Sequence, residues 1–174
     1  MAIRPILIHP DPRLKKVAPA IGAPDQRVRD LAADMLETMY DAPGIGLAAP
    51  QIGEMARMIV MDCVKDDGPP RPMVLIDPEI VERSEALRVH EEGCLSIPEQ
   101  YADVERPDTV TVRWTTPDGE EASESFSGLW STCVQHEIDH LNGVLFIDHL
   151  KPLRRQLITR KMVKLKKERA RGAA

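Results

Sequence analysis

Aromatic residues are nearly missing from this chain, with two Trp, two Tyr and two Phe among 174 residues. Any core must therefore be aliphatic, and the 43% apolar content is enough to build one. Long apolar runs are missing too. No stretch approaches the roughly eighteen residues that would span a bilayer. Met1 to Pro10 has neither a signal peptide's apolar block nor a transit peptide's Arg/Ser-rich helix, so a cytoplasmic protein is expected. No Gly/Ser or Gln/Asn tract, internal repeat or linker divides the chain, and its length suits one domain over residues 1–174. Cysteine is scarce: Cys63, Cys94 and Cys133 cannot all pair within one chain, and in a reducing compartment they are thiols or metal ligands.

Charge is present but uneven. Residues 151–174 carry ten Lys/Arg against one acidic residue, while residues 1–150 carry thirteen against twenty-seven. The basic C-terminal helix and tail can be a solvated face or the docking surface for an anionic partner, and the sequence leaves both open.

From Asp25 to Tyr40, apolar residues recur every three or four positions behind an Asp suited to capping, which predicts a helix. Asp41 to Gly53, with three glycines and two prolines, reads as a loop. Strands are expected at Met58 to Met61, Met73 to Ile76 and Ile80 to Val89. A hairpin is expected from Val110–Trp114 through Pro117-Asp-Gly119 to Glu121–Phe126. Gly128 opens an apolar helix that Asn142-Gly143 ends. Beyond Pro152, Leu153, Leu157, Ile158, Met162 and Leu165 form a stripe among basic residues, an amphipathic surface helix. Grouped strands between helices indicate α+β, with antiparallel strands around the apolar helix.

That helix contains Gln135-His136-Glu137-Ile138-Asp139-His140, an H-E-x-x-H pattern. A four-residue step of roughly 400° returns the second imidazole to the face of the first, so two can grip one metal. Glu137 is then placed to move a proton to and from a water. The pattern also arises by chance in long helices, but unpaired His and Glu are costly to bury in so apolar a segment. A catalytic metal needs a third ligand and an open position. The position six residues after His140 is Phe146, and the only later Glu is Glu168 in the basic tail, which weakens a zinc endopeptidase reading. Upstream, Glu91-Glu-Gly-Cys-Leu-Ser-Ile-Pro98 offers Cys94. A structural metal would favour a closed four-ligand set, which three ligands and an acid/base do not supply.

Three segments, Gly44-Ile-Gly-Leu-Ala-Ala-Pro-Gln51, Glu92-Gly-Cys-Leu-Ser96 and Gln135-His-Glu-Ile-Asp-His140, resemble in order the three signature motifs of the peptide deformylase family. The likeness runs from Ile8-His-Pro-Asp-Pro12 to about residue 165. It implies a hydrolase that removes the formyl group from the N-terminal methionine of new polypeptides and releases formate. It also implies one metal held by Cys94, His136 and His140, physiologically Fe2+; the donor set itself equally admits Zn2+, Ni2+ or Co2+. Glu137 would carry the proton, with Gln51 and the backbone N–H of Leu95 steadying the oxyanion. Gly44, Ile45, Gly46, Tyr101, Leu129 and Cys133 would contact substrate, Cys133 lying one turn and Leu129 two turns before His136. Here the chain departs from many relatives, with Thr132 in place of Ile and Tyr101 in place of Arg, the latter resembling a subgroup that includes organellar enzymes. Formylmethionyl polypeptides are the implied partners, with transient ribosome contact through the basic helix and neither a membrane nor a specific nucleic-acid sequence.

Cys63 is expected in the core. His9, His90 and His149 are expected to be structural or superficial, His90 sharing Cys94's face if residues 88–94 are extended. Glu92 is expected to support the metal site or pair with Arg106, and Asp139 to be solvated.

Overall fold

The computed structural model describes residues 1–65 and 67–172. The last two residues of the expected tail lie outside that range. The described part is α+β, with two antiparallel sheets and three α-helices. Helix α1 spans Gln26–Asp41; Asp25 caps it by accepting the Val28 N–H at 3.0 Å. Strands β1 (Gly46–Ala48), β2 (Met58–Met61), β3 (Met73–Arg83), β6 (Thr109–Thr115) and β7 (Glu121–Ser127) form one sheet in the order β1-β2-β3-β6-β7. Strands β4 (Leu87–Cys94) and β5 (Ile97–Pro107) form the other. Helix α2 is Gly128–Leu141, and helix α3 is Pro152–Gly172.

Side chains of a strand alternate between faces, so a strand covered on both faces must be apolar throughout. β2 is such a strand: Ile59 and Met61 pack with Val134, Ile138 and Leu141 of α2, while Met58 and Val60 pack with Met35 and Met39 of α1. The second sheet joins α3 through a third cluster, in which Ile97 and Val104 meet Phe146 together with Ile158 and Met162 of α3, while ten of the fourteen residues of α2 are buried. Helix α2 thus lies inside the molecule, its C-terminal Leu141 carbonyl held by the Ala18 N–H at 2.9 Å and Arg57 Nη1 at 3.1 Å.

Four expectations are corrected. The Asp41 to Gly53 loop contains β1 and a short 3-10 turn at Ala49–Ile52, because pairing Leu47 with Val60 satisfies backbone that an unpaired buried loop could not. Ile80 to Val89 is not one strand: β3 ends at Arg83, Ser84 turns the chain, and β4 starts at Leu87 in the other sheet. β5 has no counterpart in the expected set of strands. On α3 the buried stripe is Ile158 and Met162, with Leu165 partly buried, while Leu153 is 70% and Leu157 43% exposed. Those two leucines lie roughly half a turn to one side of the stripe at about 100° per residue.

Candidate metal centre

One buried helical turn sets His136 and His140 side by side, their ring centroids 5.0 Å apart. Cys94 ends β4 and enters from the second sheet, so its Sγ lies 3.4 Å from His140 Nε2. One ligand atom from each of Cys94, His136 and His140 falls within 4.8 Å of the other two. No other His/Cys/Asp/Glu group among the described residues converges in this way. The cysteines are all free thiols, Cys63 and Cys133 buried.

The three donors fit a metal in position, and His140 fits one in protonation as well. Burial, then the neighbouring His136 and Arg106, push His140 well below the usual imidazole range, leaving it neutral with lone pairs to offer. Burial also disfavours a charged His136, but its bonds to Cys94 and Glu92 outweigh that and raise it well above its ordinary value. Glu92 would be driven up by burial, yet the hydrogen bonds from His136 and Arg106 hold it at about 2. An ionised Glu92 can only accept, so His136 Nδ1 donates to it at 2.9 Å and Nε2 is left to face the centre.

Behind Glu92 the buried Arg106 donates Nε and Nη2 to both carboxylate oxygens, at 2.7 and 2.9 Å, and Nη1 to Asp139 at 2.9 Å. Asp139 also binds His149 Nε2 at 2.8 Å. Glu92 therefore has both expected roles at once. Asp139 is not a solvated residue as expected: its phase on α2 turns it from the ligands but onto a buried guanidinium. The signal for this chain was the lone cation of β5, Arg106, whose charge had to be matched wherever it was buried.

Glu137 faces the cleft under β1. A Cβ placed on Gly46 would come 2.7 Å from Glu137 Oε1 and 2.8 Å from Cys133 Sγ, so only glycine lets the strand pass this close. Burial, with Glu92 and Asp139 adding to it, pushes Glu137 up to about 7, and its Oε2 is buried without a partner. Such a carboxyl can take and release a proton near neutral pH.

Gln51 is locked from behind: its Oε1 accepts the Ala48 N–H at 2.9 Å, which turns Nε2 toward Ser96 Oγ at 3.1 Å and Cys94 Sγ at 3.5 Å. The N-terminal segment holds this region in place, Leu7 N–H bonding the Gln51 carbonyl at 2.7 Å and His9 N–H the Ser96 carbonyl at 2.9 Å. His9 itself is buried, its Nε2 3.0 Å from Thr159 Oγ1 on α3.

A cavity of about 440 Å3 opens on the centre. Gly44, Ile45, Gly46 and Gln51 line one side; Leu95 and Tyr101 line the other; Leu129, Cys133, His136 and Glu137 form the floor. All the expected site residues except His140, which lies behind at 1% exposure, reach this one cavity. His90 and Thr132 line it as well. His90, expected to be structural or superficial, alternates with Arg88 and Glu92 along β4 and is half-buried at the cavity.

The profile of the family described as polypeptide deformylase matches residues 3–156. A peptide deformylase of Mesorhizobium japonicum is 55% identical over 172 residues, which is 99% of this chain and 98% of that protein. The crystal structure of a peptide deformylase from Ehrlichia chaffeensis matches with a TM-score of 0.92 at 32% identity, over 97% of this chain and 99% of that one. A class I type b peptide deformylase from Acinetobacter baumannii, solved with Met-Ala-Ser bound, matches with a TM-score of 0.81 at 34% identity, over 86% of this chain and 99% of that one.

Proposed function

The chain belongs to the polypeptide deformylase family, and from that premise we propose how its own residues remove the formyl group from the N-terminal methionine of nascent polypeptides. It is a metal-dependent hydrolase that releases formate and leaves a free methionine N-terminus. The observation that carries the residue assignment is the meeting of Cys94, His136 and His140 donors within 4.8 Å, beside a Glu137 poised at about 7.

Cys94, His136 and His140 hold one divalent ion, and Glu92 fixes the His136 ring. When bound, that ion would make a water nucleophilic at neutral pH and would supply Lewis acidity to the site. Glu137 takes the proton from the attacking water and delivers it to the departing amine nitrogen. Gln51 Nε2, already aimed by Ala48, donates to the formyl oxygen as it gains charge, and the Leu95 backbone N–H is the second donor. Gly44 and Gly46 let the substrate backbone approach, while Ile45, Leu129 and Cys133 take the methionine side chain and Tyr101 closes the cleft. A bound Met-Ala-Ser in the Acinetobacter relative has the composition of a deformylated start.

A thiolate with two imidazoles suits Fe2+, with Zn2+, Ni2+ or Co2+ able to replace it. Residues 1–174 act as one catalytic unit in the cytoplasm; no helix of the described residues is long and apolar enough to cross a membrane. The net positive α3 gives a transient, salt-sensitive contact with the ribosome, where the substrate emerges. Formate release from formyl-Met-Ala-Ser, measured with metal content on anaerobically purified protein, tests the assignment. One ion per chain with turnover is expected, and Cys94→Ser should lose the ion while Cys63→Ser keeps it. Equal metal content in both variants would sink the ligand set.

A further inference from the structure

The cleft has two chemically different flanks. On the β1 side, Ile45 presents its side chain while its carbonyl faces the Cys133 thiol at 3.6 Å, and Leu129 lies one turn away, which suits a thioether. The β4 side is polar. Arg88, His90 and Glu92 share one face of that strand. Arg88 Nη1 reaches Thr132 Oγ1 at 3.2 Å and Glu92 reaches His136 Nδ1 at 2.9 Å. Thr132 and His136 stand one turn apart on α2, so His90, between Arg88 and Glu92 on the same strand face, is directed at this stretch of α2, and both His90 and Thr132 line the cavity.

Thr132 is 7% exposed, and its oxygen already accepts from Arg88, so its hydroxyl proton is directed elsewhere. Among the described residues none accepts it. A buried donor without an acceptor costs free energy, and a thioether sulfur is too weak an acceptor to repay it. A sulfoxide oxygen is a strong one, carried by a side chain of nearly the same shape that oxidation makes polar and chiral.

We infer that this cleft also deformylates polypeptides that begin with formyl-methionine sulfoxide, the sulfoxide oxygen accepting from Thr132 and His90 on the β4 flank. The inference rests on the deformylase reading of the same site. The step is the same hydrolysis: water adds to the formyl carbon, the C–N bond breaks, the amine nitrogen gains a proton and formate leaves. The sulfoxide passes through unchanged. Because the donors stand on one flank only, the two sulfoxide epimers are treated unequally.

The test uses full-length, metal-loaded protein and formate release from formyl-Met-Ala-Ser, from each epimer of the corresponding sulfoxide peptide, and from a formyl-norleucine peptide as a shape control. One epimer should retain more than about one hundredth of the kcat/KM of the thioether. In Thr132→Val the sulfoxide-to-thioether ratio should fall about tenfold, the effect of one lost hydrogen bond, while the norleucine-to-thioether ratio stays put. Thr132→Ser should restore the sulfoxide ratio, and His90→Leu should lower it independently of how well the Thr132→Val protein folds. Turnover of formyl-Met-Ala-Ser with both epimers below one hundredth, or a ratio unmoved in Thr132→Val and His90→Leu, overturns the inference and leaves the deformylase reading standing. No turnover of formyl-Met-Ala-Ser overturns both.

Discussion

Helices α2 and α3 both carry many polar side chains, and they spend them in opposite ways. Ten of the fourteen residues of α2 are buried, Gln135, His136, Glu137 and His140 among them, whereas α3 buries only Ile158 and Met162 of its twenty-one. Inside the molecule each polar group must find a partner or shift its protonation, so the polar residues of α2 report specific chemistry. On α3 water does the matching, and its charges report only a field around the molecule. The same residue types therefore carry different information on the two helices, and four perturbations test that contrast.

The largest effect is expected where the buried helix meets the reaction. Glu137→Gln keeps the shape and the metal ligands but cannot carry a proton, so kcat should fall by about 100- to 10,000-fold at unchanged metal content. Substantial residual turnover would mean that α2 merely houses this carboxyl.

Next comes the support behind the ligands. Arg106→Met leaves Glu92 buried and half-compensated, which should cost roughly 3–5 kcal/mol in urea unfolding at pH 7. Metal affinity should weaken about 10- to 100-fold as His136 loses its anchor. In the parent, Glu92 is held at about 2, below the ordinary carboxylate range. A depressed carboxyl stabilises the fold above its ordinary range and loses that contribution as pH falls toward the folded value. Metal-free parent protein should thus lose stability between about pH 4.5 and 2. The Arg106→Met protein should lose it at higher pH, as followed by circular dichroism. Coincident acid transitions would show that Arg106 does not hold the Glu92 charge.

How much of this contrast a sequence reveals depends on whether the burying surface is local. Helix α1 and the β6–β7 hairpin are legible because period, cap and Pro-Asp-Gly turn all lie within their own residues. The metal ligands are legible because each sits in a dense motif whose chemistry excludes most alternatives. β5 is not: along Ile97–Pro107 only Ile97, Val104 and Arg106 are buried, so no alternation of apolar residues marks it. Its partner β4 and the helices that cover it are set by distant segments. The Arg106–Asp139 pair is hidden for the same reason, since helical phase says only that Asp139 leaves the ligand face and not what waits there. The sequence makes the stripe on α3 look wider than it is, because Leu153 and Leu157 count as apolar whether or not anything covers them.

A smaller effect should separate the covered and uncovered apolar residues of α3. Met162 is 2% exposed between Phe146 and the second sheet, and Met162→Ala should cost about 2–4 kcal/mol through lost contacts and a cavity. Leu153→Ala, at a residue 70% exposed, should stay within about 0.5 kcal/mol. Equal losses in chemical unfolding would mean that α3 docks on a different face.

The smallest effect on catalysis is expected from the charges of α3. Lys164, Lys166, Lys167 and Arg169 are all exposed, and none has an acidic partner among the described ion pairs. Reversing the four to Glu changes the helix by eight charges without touching the cavity or its ligands, so turnover of short formyl-Met peptides should stay within about twofold, as for surface sites generally. Some helix stability should go, because Arg169→Glu puts an acid in the last turn of α3, where it opposes the backbone dipole by about 0.3–1 kcal/mol. Ribosome binding should behave differently. Residues 151–174 hold ten basic residues against one acidic, and removing four while adding four acids leaves six against five. An association driven by displaced counterions must then weaken and lose most of its salt dependence. Co-sedimentation with ribosomes across a salt series reads this directly, with loss most marked at low salt. Unchanged binding in the reversed protein would assign the α3 charges to solvation alone and remove the field from the account of how the substrate is met.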